Sequence, residues 1–157
     1  MLKKFALAAS LVLTAMTPAL AQTYPNKPVK LVVPFPAGGG TDIVGRLIAQ
    51  KLADSWQQPV VVDNKPGANT LIGTEYVANA VADGYTLLMA SPSHTINASL
   101  YKNAKFNTQK AFAGVGVVAT GPLVLVVNQS VPAQNVRELI ALAKAKPGTL
   151  SYASAGT

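Results

Sequence analysis

The sequence has few of the residues on which most metal and covalent chemistry depends. It contains no cysteine and a single histidine, and only 12% of its 157 residues are charged. The absence of cysteine excludes disulfides and thiol catalysis, so the folded chain must be held by its apolar core. The histidine, His94, has no group of carboxylates nearby in the sequence, whereas a zinc site needs three or four ligands. We therefore expect no metal and no cofactor.

Other classes of function are disfavoured for similar reasons. The net charge is +7, but the basic residues are scattered rather than gathered into the stripe that nucleic-acid binding requires. There is no G-x-S-x-G nucleophile elbow, and the six acidic residues do not form an evident catalytic pair. A triad of Ser91, His94 and Asp42 can be drawn, but the proximity of serine and histidine in a sequence is not evidence of geometry. We expect no nucleic-acid partner and no catalytic residue.

The first 21 residues have the pattern of an export signal. Lys3 and Lys4 precede an apolar run over residues 5–16, and Ala19-Leu20-Ala21 forms an A-x-A cleavage site before Gln22. The apolar run is shorter than the roughly 20 residues of a membrane span. We expect cleavage near Ala21 and Gln22 and a periplasmic mature chain. Loss of Lys3 and Lys4 with the signal would lower the net charge from +7 to +5.

Apolar strands alternate with amphipathic helices along the mature chain. Strands are predicted over 29–33, 60–62, 85–90, 112–118, 123–128 and 150–153, and helices over 42–55, 71–81 and 136–145. In the first helix Ile43, Leu47, Ile48 and Leu52 share one face; the last helix has Asn135 as cap and Glu138 three residues on. The stretch after Ser91, to residue 107, is polar and predicted to be irregular. The alternation indicates a parallel α/β sheet covered on both faces.

The most informative stretch is the loop PFPAGGGTD, from Pro34 to Asp42. Its prolines end the strand, and its three glycines let the backbone approach a ligand closely. The free N–H groups of the next helix, with Thr41 or Asp42 as its side-chain cap, face this loop at the positive end of the helix dipole. The spacing fits neither the Walker pattern nor the dinucleotide fingerprint. Taken alone, the loop sequence is explained equally well by an anion site and by a tight strand-to-helix turn that binds no ligand.

Several longer motifs occur in an order and at a spacing typical of one family. They are PFPAGGGTDIVGR (34–46), VVDNKPGANTLIG (61–73), ADGYTLLMAS (82–91), LVLVVN (123–128) and AKAKPGTLSYASAGT (143–157). With the export signal, they make the chain resemble the amino-terminal half of a tripartite tricarboxylate transporter substrate-binding protein, in the Bug family of periplasmic solute receptors. Asn69-Thr70 stands where that family more often has two glycines, and Lys65 where it often has arginine.

The resemblance implies an α/β fold of the periplasmic-binding-protein-like, type II or Venus-flytrap kind, with the solute held between two lobes. Residues 22–121 would form the first lobe and residues 122–157 the beginning of the second. The chain would be truncated there, because family members are much longer. The implied partners are a small carboxylated solute, such as a di- or tricarboxylate, an acidic amino acid or an aromatic acid, and the membrane subunits of a tripartite tricarboxylate-type transporter. We expect a monomer.

The resemblance also implies which residues bind the carboxylate, largely through main-chain groups. The first loop maps onto Phe35, Pro36, Ala37, Gly38, Gly39, Thr41 and Asp42, and the second onto Ser154, Ala155, Gly156 and Thr157. Ser91 and His94 are further candidates, because they follow the third strand at the edge that would face the cleft. Two other interpretations stay open: an exported α/β enzyme that uses the Pro34 to Asp42 loop as an anion or oxyanion site, and a truncated receptor without function.

Overall fold

A three-stranded parallel sheet forms the centre of the computed structural model, which describes residues 23–102 and 104–154. The strands are β1 (Val29–Val33), β2 (Val60–Asn64) and β3 (Thr86–Leu88), in the order β2-β1-β3. Val29 pairs with Val60, and Lys30 with Thr86. The central strand has neighbours on both edges, and Val29, Val32 and Val33 are completely buried. The predicted α/β class with a parallel sheet is confirmed.

The helices of the described residues are α1 (Gly40–Trp56), α2 (Leu71–Ala78), α3 (Pro92–Leu100) and α4 (Val136–Ala145). Helix α1 packs against β1 and β2, and α2 packs against β1 and β3. Because β2 and β3 lie on opposite sides of β1, right-handed crossovers place α1 and α2 on opposite faces of the sheet. Because the three strands are parallel, their carboxyl ends meet at one edge of the sheet, where each strand leads into a loop and a helix.

The buried face of α1 is not the predicted one. The helix buries Asp42, Gly45 and Ala49 and half-buries Ile48 and Leu52. Ile43 and Leu47 were expected in the core but are 54% and 58% exposed. At Gly45 a Cβ would lie only 3.1 Å from the Val33 Cγ2 atom. The small residues thus let the helix approach the sheet closely, and this approach decides which face is buried.

Helix α3 occupies a segment that we predicted to be irregular. Its buried residues are polar, Ser93 and Asn97, whereas Leu100 is 58% exposed. This inverts the usual distribution, so a search for apolar periodicity finds no helix here. The signal that was available is the start: Ser91 occupies the N-cap position and Pro92 the first helical position.

Three predicted strands were wrong. Residues 112–118, 123–128 and 150–153 have no strand conformation, and Leu123 and Val126 are 102% and 80% exposed. A strand is held by hydrogen bonds to a neighbouring strand, and no segment within 23–102 or 104–154 pairs with these runs. The other predicted elements are present, some with ends shifted by a few residues.

Helix α4 confirms its predicted capping. The Asn135 Oδ1 atom accepts a hydrogen bond from the Glu138 N–H at 3.0 Å, and the Glu138 Oε2 atom accepts one from the Gln134 N–H at 2.7 Å. The two side chains thereby satisfy donors at the helix start, as in a capping box.

Residues 1–21 lie outside the described residues, so the export signal and the cleavage near Ala21 and Gln22 stay predictions from sequence. The lobe boundary at residues 121 and 122 also stays a prediction. No helix found in the described part of the chain is long and apolar enough to cross a membrane.

Candidate functional site

The loop after β1 carries the main-chain groups of the candidate site. Residues 36–40 are exposed at the sheet edge, and Phe35 is half-buried. Gly39 is the N-cap of α1, and its carbonyl accepts the first intrahelical hydrogen bond, from the Ile43 N–H, at 3.0 Å. The N–H groups of residues 40–42 lie ahead of that bond, at the positive end of the helix dipole. This arrangement suits a small anion. We call residues 34–42 the anion loop.

Only one of the three contiguous glycines requires a left-handed backbone. Gly38 has φ +83°, whereas Gly39 is extended with φ −76° and Gly40 begins the helix. The Gly39 N–H donates to the Pro36 carbonyl at 3.4 Å. The turn is therefore made at Gly38, and the next two glycines keep the exposed surface of the loop free of side chains.

A buried carboxylate holds the anion loop from behind. Asp42 is 2% exposed, and its Oδ2 atom accepts hydrogen bonds from the Gly38 N–H at 2.8 Å and from Arg46 Nε at 2.9 Å. Its Oδ1 atom accepts one from Asn64 Nδ2 at 2.8 Å. The loop, the second turn of α1 and the end of β2 are thus joined at one side chain.

The prediction that Thr41 or Asp42 caps α1 was wrong. The N-cap is Gly39, which has no side chain, and Asp42 instead reaches back to the N–H of the residue before the cap. Asp42 was also expected among the ligand-binding residues. Its buried carboxylate is engaged on both oxygens, so the structure gives its side chain the role of holding the loop.

The charge of Asp42 is balanced within this cluster. The hydrogen bond from Arg46, followed by those from Gly38 and Asn64, lowers the pKa of Asp42 from 3.8 to about 2. The same pairing raises the pKa of Arg46. An ionised carboxylate next to an anion site would repel the ligand, but the guanidinium beside it offsets that repulsion.

Asn64 and Arg46 are functional candidates that the sequence analysis did not single out. Asn64 Nδ2 also donates to the Phe35 carbonyl at 3.1 Å, and Arg46 Nη2 donates to Asn64 Oδ1 at 3.0 Å. The Asp42-x-x-x-Arg46 spacing, which brings the two charges onto one helix face, was the available signal for one of them. Asn64 gave no such signal, because its partners are distant in sequence.

Ser91 and His94 lie where β3 leads into α3. The Ser91 Oγ and His94 Nδ1 atoms are buried and have no hydrogen-bond partner among the described residues. The His94 ring packs edge-on against Phe112 at 4.9 Å between centroids, and burial lowers the pKa of His94. Because Asp42 is bound elsewhere, the Ser91, His94 and Asp42 triad is not assembled. The described residues also contain no group of three or more histidines and carboxylates fit for a metal.

The second predicted loop is described only at its first residue. Ser154 is exposed, and Ala155, Gly156 and Thr157 lie outside the described residues. The contribution of that loop to the site stays a prediction.

Comparison with known proteins identifies the family. A model described as the tripartite tricarboxylate transporter family receptor matches residues 44–157. The chain belongs to this receptor family. It is 42% identical over 138 residues to the protein BugT of Bordetella pertussis, covering 87% of this chain and 42% of BugT. A UPF0065 protein of Cupriavidus necator is 37% identical over 152 residues, covering 95% of this chain and 46% of that protein. The chain spans less than half the length of these curated relatives.

Solved structures agree with this assignment. R. palustris Rpa4515, determined with adipate, is 38% identical with a TM-score of 0.76 over 81% of this chain and 43% of that one. MatC from Rhodopseudomonas palustris, with bound malate, is 29% identical with a TM-score of 0.72 over 78% of this chain and 42% of that one. A periplasmic transporter gives 33% identity and a TM-score of 0.67 over 85% and 45%. The predicted periplasmic-binding-protein-like fold class and the predicted family are confirmed.

Proposed function

We propose that the chain contributes the first carboxylate-binding loop of a periplasmic solute receptor that serves a tripartite tricarboxylate-type transporter. The observation that carries the proposal is the anion loop, whose exposed surface has no side chain at Gly38 to Gly40 and whose helix start offers main-chain N–H groups. The family and the adipate and malate held by two solved relatives support a small carboxylated solute as ligand.

The loop is prepared for its ligand before binding. Asp42 fixes Gly38, and Asn64 fixes Phe35, through hydrogen bonds of 2.8 and 3.1 Å. A ligand carboxylate therefore meets a backbone already in position, which reduces the ordering cost of binding. Ser91 and His94 border the same sheet edge, and we propose that they contact the remainder of the solute.

Magnitudes indicate that one loop is not enough for tight binding. Two charge-assisted hydrogen bonds contribute about 3–6 kcal/mol, and the helix dipole adds about 0.3–1 kcal/mol. Association itself costs about 4–15 kcal/mol. We therefore propose that a second loop, residues 154–157, completes the carboxylate site, and that the lobes close on the solute.

Binding without turnover is the expected behaviour. The acidic side chain within the loop, Asp42, is committed to Gly38, Arg46 and Asn64 and is not free to act as a general base. We propose that the protein acts as a monomeric receptor after removal of its export signal, rather than as an exported enzyme.

The test is thermal unfolding of the chain against di- and tricarboxylates, acidic amino acids and aromatic acids. At a hundred times its dissociation constant, a true ligand stabilises the fold by about 2.7 kcal/mol, and it should be recovered chemically unchanged. Adipamide, the uncharged diamide of adipic acid, is the control for adipate and should have no effect. Equal stabilisation by adipamide and adipate would contradict carboxylate recognition. The absence of a cooperative transition would favour a receptor fragment without function.

A further inference from the structure

The loop between β2 and α2 contains four consecutive residues with positive φ. The values are +121° for Gly67, +46° for Ala68, +52° for Asn69 and +75° for Thr70. Glycine adopts such angles freely, but a β-branched residue such as Thr70 rarely does. Conformations of this kind persist only where the surrounding structure holds them in place. The loop therefore needs a specific partner.

A single buried side chain on α3 supplies that partner. Asn97 is 4% exposed, and its Nδ2 atom donates hydrogen bonds to the Asn69 carbonyl at 2.6 Å and to Thr70 Oγ1 at 3.2 Å. Its Oδ1 atom accepts a hydrogen bond from Asn69 Nδ2 at 2.7 Å. Both ends of one carboxamide thus bind the two residues at which the strained segment meets α2. We call these three hydrogen bonds the Asn97 clasp.

The clasped residues determine where α2 lies against the anion loop. Thr70 is the N-cap of α2, and its carbonyl accepts hydrogen bonds from both the N–H and the hydroxyl of Thr74. Gly73, the residue before Thr74, lies directly against Pro34 and Lys65. A Cβ on Gly73 would be 2.8 Å from the Pro34 Cβ and 2.8 Å from the Lys65 carbonyl oxygen. Pro34 is the first residue of the anion loop. A movement of Thr70 would therefore be transmitted through α2 to the loop.

We propose that Asn97 is a positioning residue of the carboxylate site. It holds Asn69 and Thr70 in the left-handed conformation, and this fixes α2 against Pro34 and keeps the anion loop in its binding geometry. The effect on ligand affinity rests on the proposed function, whereas the effect on α2 does not.

The experiment compares three variants of the full chain with the wild type. Asn97→Ala removes the clasp. A triple variant combines it with Asn69→Gly and Thr70→Gly, which accept positive φ without strain. Asn79→Ala is the matched control, because Asn79 donates an exposed hydrogen bond to the Glu75 carbonyl at 3.0 Å at the other end of α2. Each variant is examined by hydrogen exchange of its amides and by titration with adipate and with malate.

Asn97→Ala should speed exchange of the Leu71 and Thr74 amides, which are bonded to the Ala68 and Thr70 carbonyls, and weaken adipate or malate binding by about tenfold. The Lys65 amide, bonded to the Val33 carbonyl, should keep its protection. The triple variant should recover much of the amide protection of α2 and much of the affinity for adipate or malate, although it has lost every side-chain partner of the clasp. Asn79→Ala should change neither.

The proposal is overturned if Asn97→Ala leaves the α2 amides protected, or if the triple variant is no better than Asn97→Ala. Should Asn97→Ala fail to fold, recovery of a cooperative fold in the triple variant supports the proposal and its absence overturns it. If wild type binds neither dicarboxylate, adipate and malate are excluded as solutes of the proposed receptor, and hydrogen exchange alone decides whether the clasp holds α2.

Discussion

Two helical glycines provide a matched test of how α2 is seated. Replacing glycine by alanine within a helix gains about 1 kcal/mol of intrinsic helix stability. At Gly73 this gain is opposed, because the new Cβ would be 2.8 Å from the Pro34 Cβ and 2.8 Å from the Lys65 carbonyl oxygen. Neither neighbour is the end of a flexible side chain, so the helix must move. Overpacking of this kind costs about 1–3 kcal/mol.

Gly45 is the control, because its nearest contact is different in kind. A Cβ there would be 3.1 Å from the Val33 Cγ2 atom and about 4 Å from Leu31 and Met89 side-chain atoms. A side-chain methyl group can give way by a few tenths of an ångström. We expect Gly45→Ala to leave stability nearly unchanged, and Gly73→Ala to be less stable than Gly45→Ala by about 1–2 kcal/mol.

The assay is thermal unfolding of both variants beside the wild type. A loss of about 1–2 kcal/mol corresponds to a midpoint lowered by roughly 2–8 °C in a chain of this size. Equal midpoints for Gly73→Ala and Gly45→Ala would show that α2 can move away from Pro34 without cost, and that close packing at Gly73 does not fix the helix.

Three further predictions concern the loop and its titrating neighbours. Gly38→Ala should lower the free energy of unfolding by about 1–2 kcal/mol, because φ is +83° there, whereas Gly39→Ala at φ −76° should change it little in denaturant titrations. The pKa of Asp42 falls from 3.8 in the unfolded chain to about 2 in the folded one, so the stability that ionised Asp42 contributes is present above pH 3.8 and lost as pH falls towards 2. Asp42→Asn should remove this loss of stability from the acid unfolding curve. An unchanged acid midpoint would argue against the hydrogen bonds of Asp42 with Gly38, Arg46 and Asn64. Burial lowers the pKa of His94 below 6.5, so below that pH the unfolded chain binds a proton more readily than the folded one and stability should fall. The thermal midpoint of the wild type should therefore decrease between pH 7 and 5, and that of His94→Gln should decrease less.

Local sequence signals predicted the elements whose residues follow the usual rules. The apolar run of β1 and the Asn135 and Glu138 pair of α4 are found as expected, because each depends on neighbours in sequence. Helix α3 was missed because Asn97 is buried for its hydrogen bonds rather than for its hydrophobicity. The run at 123–128 was assigned to a strand on composition, but strand formation depends on a partner elsewhere in the chain.

The candidate site was predicted in position but not in mechanism. The proline and glycine pattern identified the loop, and Gly38 does supply the positive φ that its turn requires. The role of Asp42 could not be predicted, since its partners Arg46 and Asn64 meet only once β2 lies beside β1. Side chains that are brought together by sheet register leave no trace in local spacing.

Carboxylate binding at the anion loop can be followed residue by residue, through the shifts of main-chain amide resonances during titration of the chain with adipate and with malate. Binding at the anion loop predicts saturable shifts concentrated at residues 40–42, whose N–H groups lie ahead of the first intrahelical hydrogen bond, and at Gly38 and Gly39 beside them, and no shifts with adipamide. Shifts confined to other parts of the chain, or equal shifts with adipamide, would show that the anion loop does not recognise a carboxylate.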